Sequence, residues 1–151
     1  MKKLLFFILF FSATNFADAQ IISPVKWTYS AKKISDKMYE VHMIAVLDKK
    51  WHIYAQEAGE GPEPTTFTFT ANPLLKLDGK TKEIGTLEKQ FDPNFNSLLK
   101  FYSNKVDFVQ RVKLKSTAST ILKGKISYMV CDDKKCLPPK EVPFSVKLSG
   151  K

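Results

Sequence analysis

Cysteine is nearly absent from this chain. Its 151 residues hold two, Cys131 and Cys136, four residues apart. That excludes a small disulfide-dense module, in which several bridges substitute for a core. Arginine is scarcer still, with Arg111 alone. No arginine-rich block exists, and the lysines are spread among acids, so nucleic acid is not an expected partner. The six glycines form no phosphate-cradling loop. No Ser-His-Asp arrangement and no paired carboxylates for hydrolysis stand out, and the residues call for no cofactor. After the first residues no apolar run is long enough for a membrane helix, so no stable membrane insertion is expected.

The N-terminus carries what reads as a secretory signal. Lys2 and Lys3 precede an unbroken apolar stretch from Leu4 to Phe11, and Ala17-Asp18-Ala19 fits the small-x-small cleavage pattern. Cleavage after Ala19 is expected, giving an exported, periplasmic protein of residues 20–151. That length suits one domain with a real hydrophobic core. Losing two lysines and one aspartate with the signal lowers the formal charge from +9 to +8. Such a balance describes a lysine-coated surface, with weak attraction to acidic partners as the other reading.

The rest of the chain reads as β-structure. Met38 to Leu47 alternates and turns apolar on both faces toward its end, which predicts a central strand. Val25 to Ser30, Trp51 to Tyr54, Thr65 to Thr70, Lys105 to Leu114, Gly124 to Val130 and Val142 to Leu148 carry strand patterns. Pro73 to Leu87 is weaker and suggests two short strands around Asp78-Gly79. Gly59 to Pro64 and Phe91 to Asn96 are loops by composition. Seven or more short strands without a convincing helix predict a β-sandwich.

The cysteine pair lies in Tyr128-Met129-Val130-Cys131-Asp132-Asp133-Lys134-Lys135-Cys136-Leu137-Pro138-Pro139-Lys140. A bridge here would close a six-residue ring, worth about 2 kcal/mol by loop entropy, less than a long-range staple. Spacing alone leaves a structural brace, a redox-active pair and a metal site all open. A soft copper site with Met129 would need a histidine, and none is close in sequence. The charges are asymmetric. Asp132 and Asp133 disfavour a thiolate at Cys131, whereas Lys134 and Lys135 favour one at Cys136. Cys136 is therefore the expected nucleophile. Pro138 and Pro139 restrict the backbone after it and withhold hydrogen-bond donors, keeping that edge open.

Val130-Cys131-x4-Cys136-Leu137-Pro138-Pro139, ahead of a final strand, resembles the N-terminal periplasmic domain of the thiol:disulfide interchange protein DsbD. Trp51-His52-Ile53-Tyr54 is similar to the aromatic strand segment of that family. Phe91-Asp92-Pro93-Asn94-Phe95, leading to Phe101-Tyr102, is similar to its cap loop. The resemblance spans roughly Val25 to Leu148. It implies an immunoglobulin-like antiparallel β-sandwich with the pair at one end. It implies that Cys136 forms mixed disulfides and that Cys131 resolves them. Phe95 would be the cap aromatic shielding the pair, Tyr54 an aromatic wall, and His52 a lining residue at a position where some relatives carry tyrosine. The spacing between the cysteines is one residue shorter than in some members.

The implied activity is a relay of reducing equivalents, of protein-disulfide reductase type, to periplasmic disulfide-containing proteins. Its donor would be a thioredoxin-like or membrane-embedded thiol reductant. The full-length relative continues into membrane and thioredoxin-like domains, and this chain ends at Lys151, so separate proteins are expected to reduce it. An immunoglobulin-like binding module with a purely structural hairpin disulfide is the alternative.

Overall fold

The computed structural model describes residues 23–93 and 95–150, and within them every regular element is a strand. The expected signal peptide, residues 1–19, and Asn94 of the expected cap loop lie outside the described residues. Nine strands run in chain order: β1 Val25–Ser35, β2 Met38–Leu47, β3 His52–Tyr54, β4 Thr66–Phe69, β5 Leu75–Asp92, β6 Ser97–Leu114, β7 Thr120–Tyr128, β8 Val130–Cys131 and β9 Lys140–Leu148. They form two antiparallel sheets. The larger is ordered β1-β2-β6-β3-β8, with β5 on the other edge of β6, and the smaller is β4-β7-β9.

The sandwich follows from alternation on the facing strands. Val41, Met43 and Ala45 of β2, Val106, Phe108 and Val112 of β6, and Leu122, Ile126, Val146 and Leu148 of the smaller sheet fill the space between the layers. Aromatic rings tie the sheets together, with Phe108 against Phe67 and Trp27 against Tyr128 at centroid distances of 5.0 and 5.4 Å. Each such ring removes a large apolar area from water.

β6 is the spine that positions the site. Its C-terminal half pairs with β2, residues 101–103 pair with β3, and β5 runs along its opposite edge. β2 is interior, as expected, but its apolar second face has a different cause: Ile44 is half-buried and Val46 is exposed. Among the described residues no second layer covers that face. The expected pair of short strands over residues 73–87 is instead one long β5 with register irregularities at Asp78/Lys82 and Gly85/Leu87. The expected loop from Phe91 to Asn96 contracts, because Phe91 and Asp92 pair with Leu98 and Ser97.

Candidate functional site

The pairing of β3 with its two neighbours determines which residues meet. Ile53 is opposite Val130 and Tyr102, while His52 is opposite Cys131, and Tyr54 opposite Phe101. Side chains of paired residues share a face, and successive residues alternate. Ile53, Val130 and Tyr102 therefore enter the main core. His52, Tyr54, Phe101 and Cys131 emerge together on the outer face. There Tyr54, Phe101 and Cys131 pack with Ala58 and Leu99 into a second, smaller apolar cluster, with Met129 against it.

Cys131 and Cys136 form a disulfide, with Cα atoms 4.0 Å apart. The turn between them is held from within. Asp132 Oδ1 accepts the backbone N–H groups of Lys134 and Lys135, each at 2.8 Å, and Asp132 N–H donates to the Lys135 carbonyl at 2.9 Å. Such a side-chain-to-backbone closure is what aspartate offers at a tight turn. Those two backbone donors pull the Asp132 carboxyl below its ordinary range. Beyond the bridge, Leu137 N–H donates to the Val130 carbonyl at 2.9 Å, and residues 137–139 belong to no strand.

The two sulfurs differ in access. Cys131 is 2% exposed, whereas Cys136 belongs to the solvent-exposed turn. Both line an open cavity of about 470 Å³ shared with His52, Tyr54, Phe101 and Phe95. Every site residue expected from the sequence therefore faces one space. Phe95 is 40% exposed at the tip of the β5–β6 turn. Its ring lies against Gly61, where a Cβ would overlap it. Gly61 also has φ +119°, in the left-handed region that a side chain disfavours.

Polar contacts reach the buried sulfur. Tyr54 Oη donates to Cys131 Sγ at 3.2 Å, and His52 Nε2 lies 3.4 Å from the same hydroxyl. The His52 ring also packs 4.5 Å from Phe101 by centroids. Burial holds its pKa below the ordinary histidine value, opposed in part by the carboxylates of Asp133, Glu88 and Asp132. Burial raises the Tyr54 phenol, and the Asp92 carboxylate adds to the shift. The other histidine is absent from this space: His42 Nδ1 pairs with Asp107 Oδ2 at 2.7 Å on the β2–β6 ladder. Among the described residues no cluster of three or more His, Cys, Asp or Glu could hold a metal.

Gly61, Leu99 and the Asp132 turn closure join the site without having been expected there, and Phe101 was expected only as the residue to which the cap loop leads. Gly61 sits in a segment read only as a loop, and its contact with Phe95 crosses from one loop to another. Only Asp132 carried a usable signal, as an aspartate two residues before the turn's lysine amide.

Residues 18–148 match the family described as thiol:disulfide interchange protein DsbD, N-terminal. No curated protein sequence matches the chain. Among solved structures, the N-terminal periplasmic domain of ScsB from Proteus mirabilis is similar at a TM-score of 0.51 and 18% identity, over 83% of this chain and 45% of that one. The chain thus spans less than half the length of the ScsB chain. The Neisseria meningitidis DsbD N-terminal domain in the reduced form is similar at a TM-score of 0.52 and 14% identity, over 82% of this chain and 86% of that one. The same domain in complex with the PilB N-terminal domain gives 0.52 and 13% identity, over 83% and 87% of the two chains. These likenesses are of fold, an immunoglobulin-like sandwich. The family match takes in every described residue except Ser149 and Gly150, and the chain belongs to the family of DsbD N-terminal domains.

Proposed function

We propose that this chain is an exported thiol–disulfide exchange module, a relay of protein-disulfide reductase type working through Cys131 and Cys136. The observation that carries the reading is the unequal access of two bonded sulfurs. A partner can touch Cys136, while Cys131 is 2% exposed and within reach only of its neighbour. Exchange needs that division: one sulfur to form the mixed disulfide and one to resolve it.

The cycle follows from it. The Cys136 thiolate attacks a partner disulfide, forming a mixed disulfide and expelling the partner's other sulfur as a thiolate. Cys131 then attacks Cys136 Sγ, the mixed bond breaks, and the partner leaves with both sulfurs reduced. Two electrons have passed to the partner, and the module holds the disulfide seen here. A dithiol donor restores it by the reverse steps. Phe95 serves as the cap over the pair, and Tyr54 and His52 wall the cavity.

The donor is a thioredoxin-like or membrane-embedded thiol reductant, and the acceptors are periplasmic proteins bearing disulfides. Support comes from the Neisseria DsbD N-terminal domain, solved with a PilB N-terminal domain, and from the ScsB domain, described as periplasmic. Residues 1–19 are the export signal, cleaved after Ala19, and residues 20–151 are the working domain.

Trapping tests this directly. Cys131→Ala leaves a Cys136 that can attack but cannot be resolved, so it should accumulate mixed disulfides with envelope proteins of thioredoxin type. Cys136→Ala should accumulate none. Equal trapping by both variants, or none by either, would reduce the pair to a brace.

A further inference from the structure

The hydroxyl of Tyr54 stands between the buried sulfur and an imidazole. It lies 3.2 Å from Cys131 Sγ and 3.4 Å from His52 Nε2. All three groups project from the same face of β3 and β8, and cross-strand pairing fixes their order. We propose that Tyr54 and His52 form a proton relay for Cys131, taking its proton when it resolves a mixed disulfide and returning one when the bridge opens. The inference rests on the exchange reading above and gives that reading a chemical means.

Cys131 needs such help more than Cys136 does. A thiol buried in an apolar cluster resists ionisation, and only the thiolate attacks a disulfide. Water has little access to a sulfur that is 2% exposed. The hydroxyl beside it is the route out. In resolution, the Cys131 S–H proton passes to Tyr54 Oη as the Tyr54 proton passes to His52 Nε2. The Cys131 thiolate then forms its bond to Cys136 Sγ, and the bond from Cys136 to the partner sulfur breaks. The electron pair leaves on the partner thiolate, and His52 sheds its proton to the open cavity. In the opening direction a donor thiolate attacks Cys136, and Cys131 departs as a thiolate that accepts the Tyr54 proton, while Tyr54 regains a proton from His52, which takes one up from the open cavity.

The surroundings suit a base that is neutral at rest and tolerates charge briefly. Asp132 and Asp133 from the cysteine turn and Glu88 from β5 face the imidazole and favour its protonated form. Lys134 and Lys135 share the cavity. From β6 it meets the uncharged ring of Phe101. Asp92, at the end of β5, acts on Tyr54. Burial outweighs the carboxylates and keeps His52 below the ordinary histidine value, so it is unprotonated and able to accept at neutral pH. Tyr54 touches the reacting sulfur, and His52 acts only through it.

Reduced protein mixed with an aromatic disulfide that releases a coloured thiol separates the steps. Attack by Cys136 gives the first burst, and resolution by Cys131 the second. With the relay, the wild-type second burst is nearly independent of pH above about 6.5, the ordinary histidine value. Without it, that rate climbs about tenfold per pH unit toward the thiol's own value near 8.5. His52→Gln and Tyr54→Phe should slow the second burst relative to each variant's own first burst on the order of 100-fold at neutral pH and impose the climbing profile. A climbing wild-type profile, or variants matching wild type, overturns the relay, and the wild-type profile needs no variant to fold. A missing first burst in wild type overturns the exchange reading itself, and the relay with it.

Discussion

At the scale of single residues, two positions decide the account. The bridged sulfurs have the same chemistry and differ in access: Cys131 is sealed among Tyr54, Phe101 and Leu99, while Cys136 sits on an exposed turn. On reduction, alkylating reagents should therefore label Cys136 before Cys131, as peptide mapping after brief exposure would show. His52 adds a pH dependence whose sign can be worked out. Its pKa is lowered in the folded state by burial, so the unfolded chain binds the proton more readily. Stability contributed by neutral His52 is complete above about 6.5, the unfolded value, and is lost as pH falls through the folded value. Denaturant midpoints at pH 7 and pH 5 should differ less in His52→Phe than in wild type. An equal difference would mean that the imidazole is protonated in the fold at no cost.

At the scale of elements, the hairpin of β5 and β6 and the loop beneath its tip carry the proposed cap. Phe95 rests on Gly61, whose backbone is left-handed and whose missing Cβ makes room for the ring. Gly61→Ala should cost about 1–3 kcal/mol for the backbone strain and should also unseat Phe95. The expected result is faster reduction of the Cys131–Cys136 bridge by a small dithiol, measured beside the loss in denaturant midpoint. Destabilisation with no change in reduction rate would mean that Phe95 does not shield the pair.

This hairpin is also where the sequence is hardest to read. β2 was legible because one face enters the core, which imposes alternation on its apolar residues. Among the described residues β5 pairs only with β6, and it exposes both faces over most of its length, so Lys76, Lys80, Lys82, Glu88 and Lys89 carry no buried-face pattern. Lysine-rich edges of this kind discourage pairing with other chains, and the same charges conceal the strand. The cysteine pair was legible from its own segment, whereas the places of Tyr54, His52 and Phe95 beside it were implied by the family resemblance. The Gly61–Phe95 seat and the Tyr54–Cys131 hydrogen bond were not legible, since each joins segments that only the fold brings together.

At the scale of the molecule, the sandwich supplies a rigid rim for the site and keeps its own core separate. The main core and the small cluster under the cysteines lie on opposite faces of the larger sheet, divided by β3, β8 and the start of β6. Damage to one should leave the other's chemistry intact. Phe108 is fully buried between the sheets and touches Phe67 and Trp27. Phe108→Ala should cost about 3–5 kcal/mol of stability, read as a lowered denaturant midpoint. Where the variant remains folded, its exchange rate should stay within a few-fold of wild type.

Exchange through Cys131 and Cys136 requires a bridge that can be broken and remade. The reduction potential of Cys131–Cys136, measured by equilibrating residues 20–151 in dithiol–disulfide buffers, tests it most directly. A working exchange pair should fall within about −180 to −270 mV, where exchange proteins operate. A value below about −300 mV, the range of bridges that resist reduction, would contradict it and leave the pair as a brace in the sandwich.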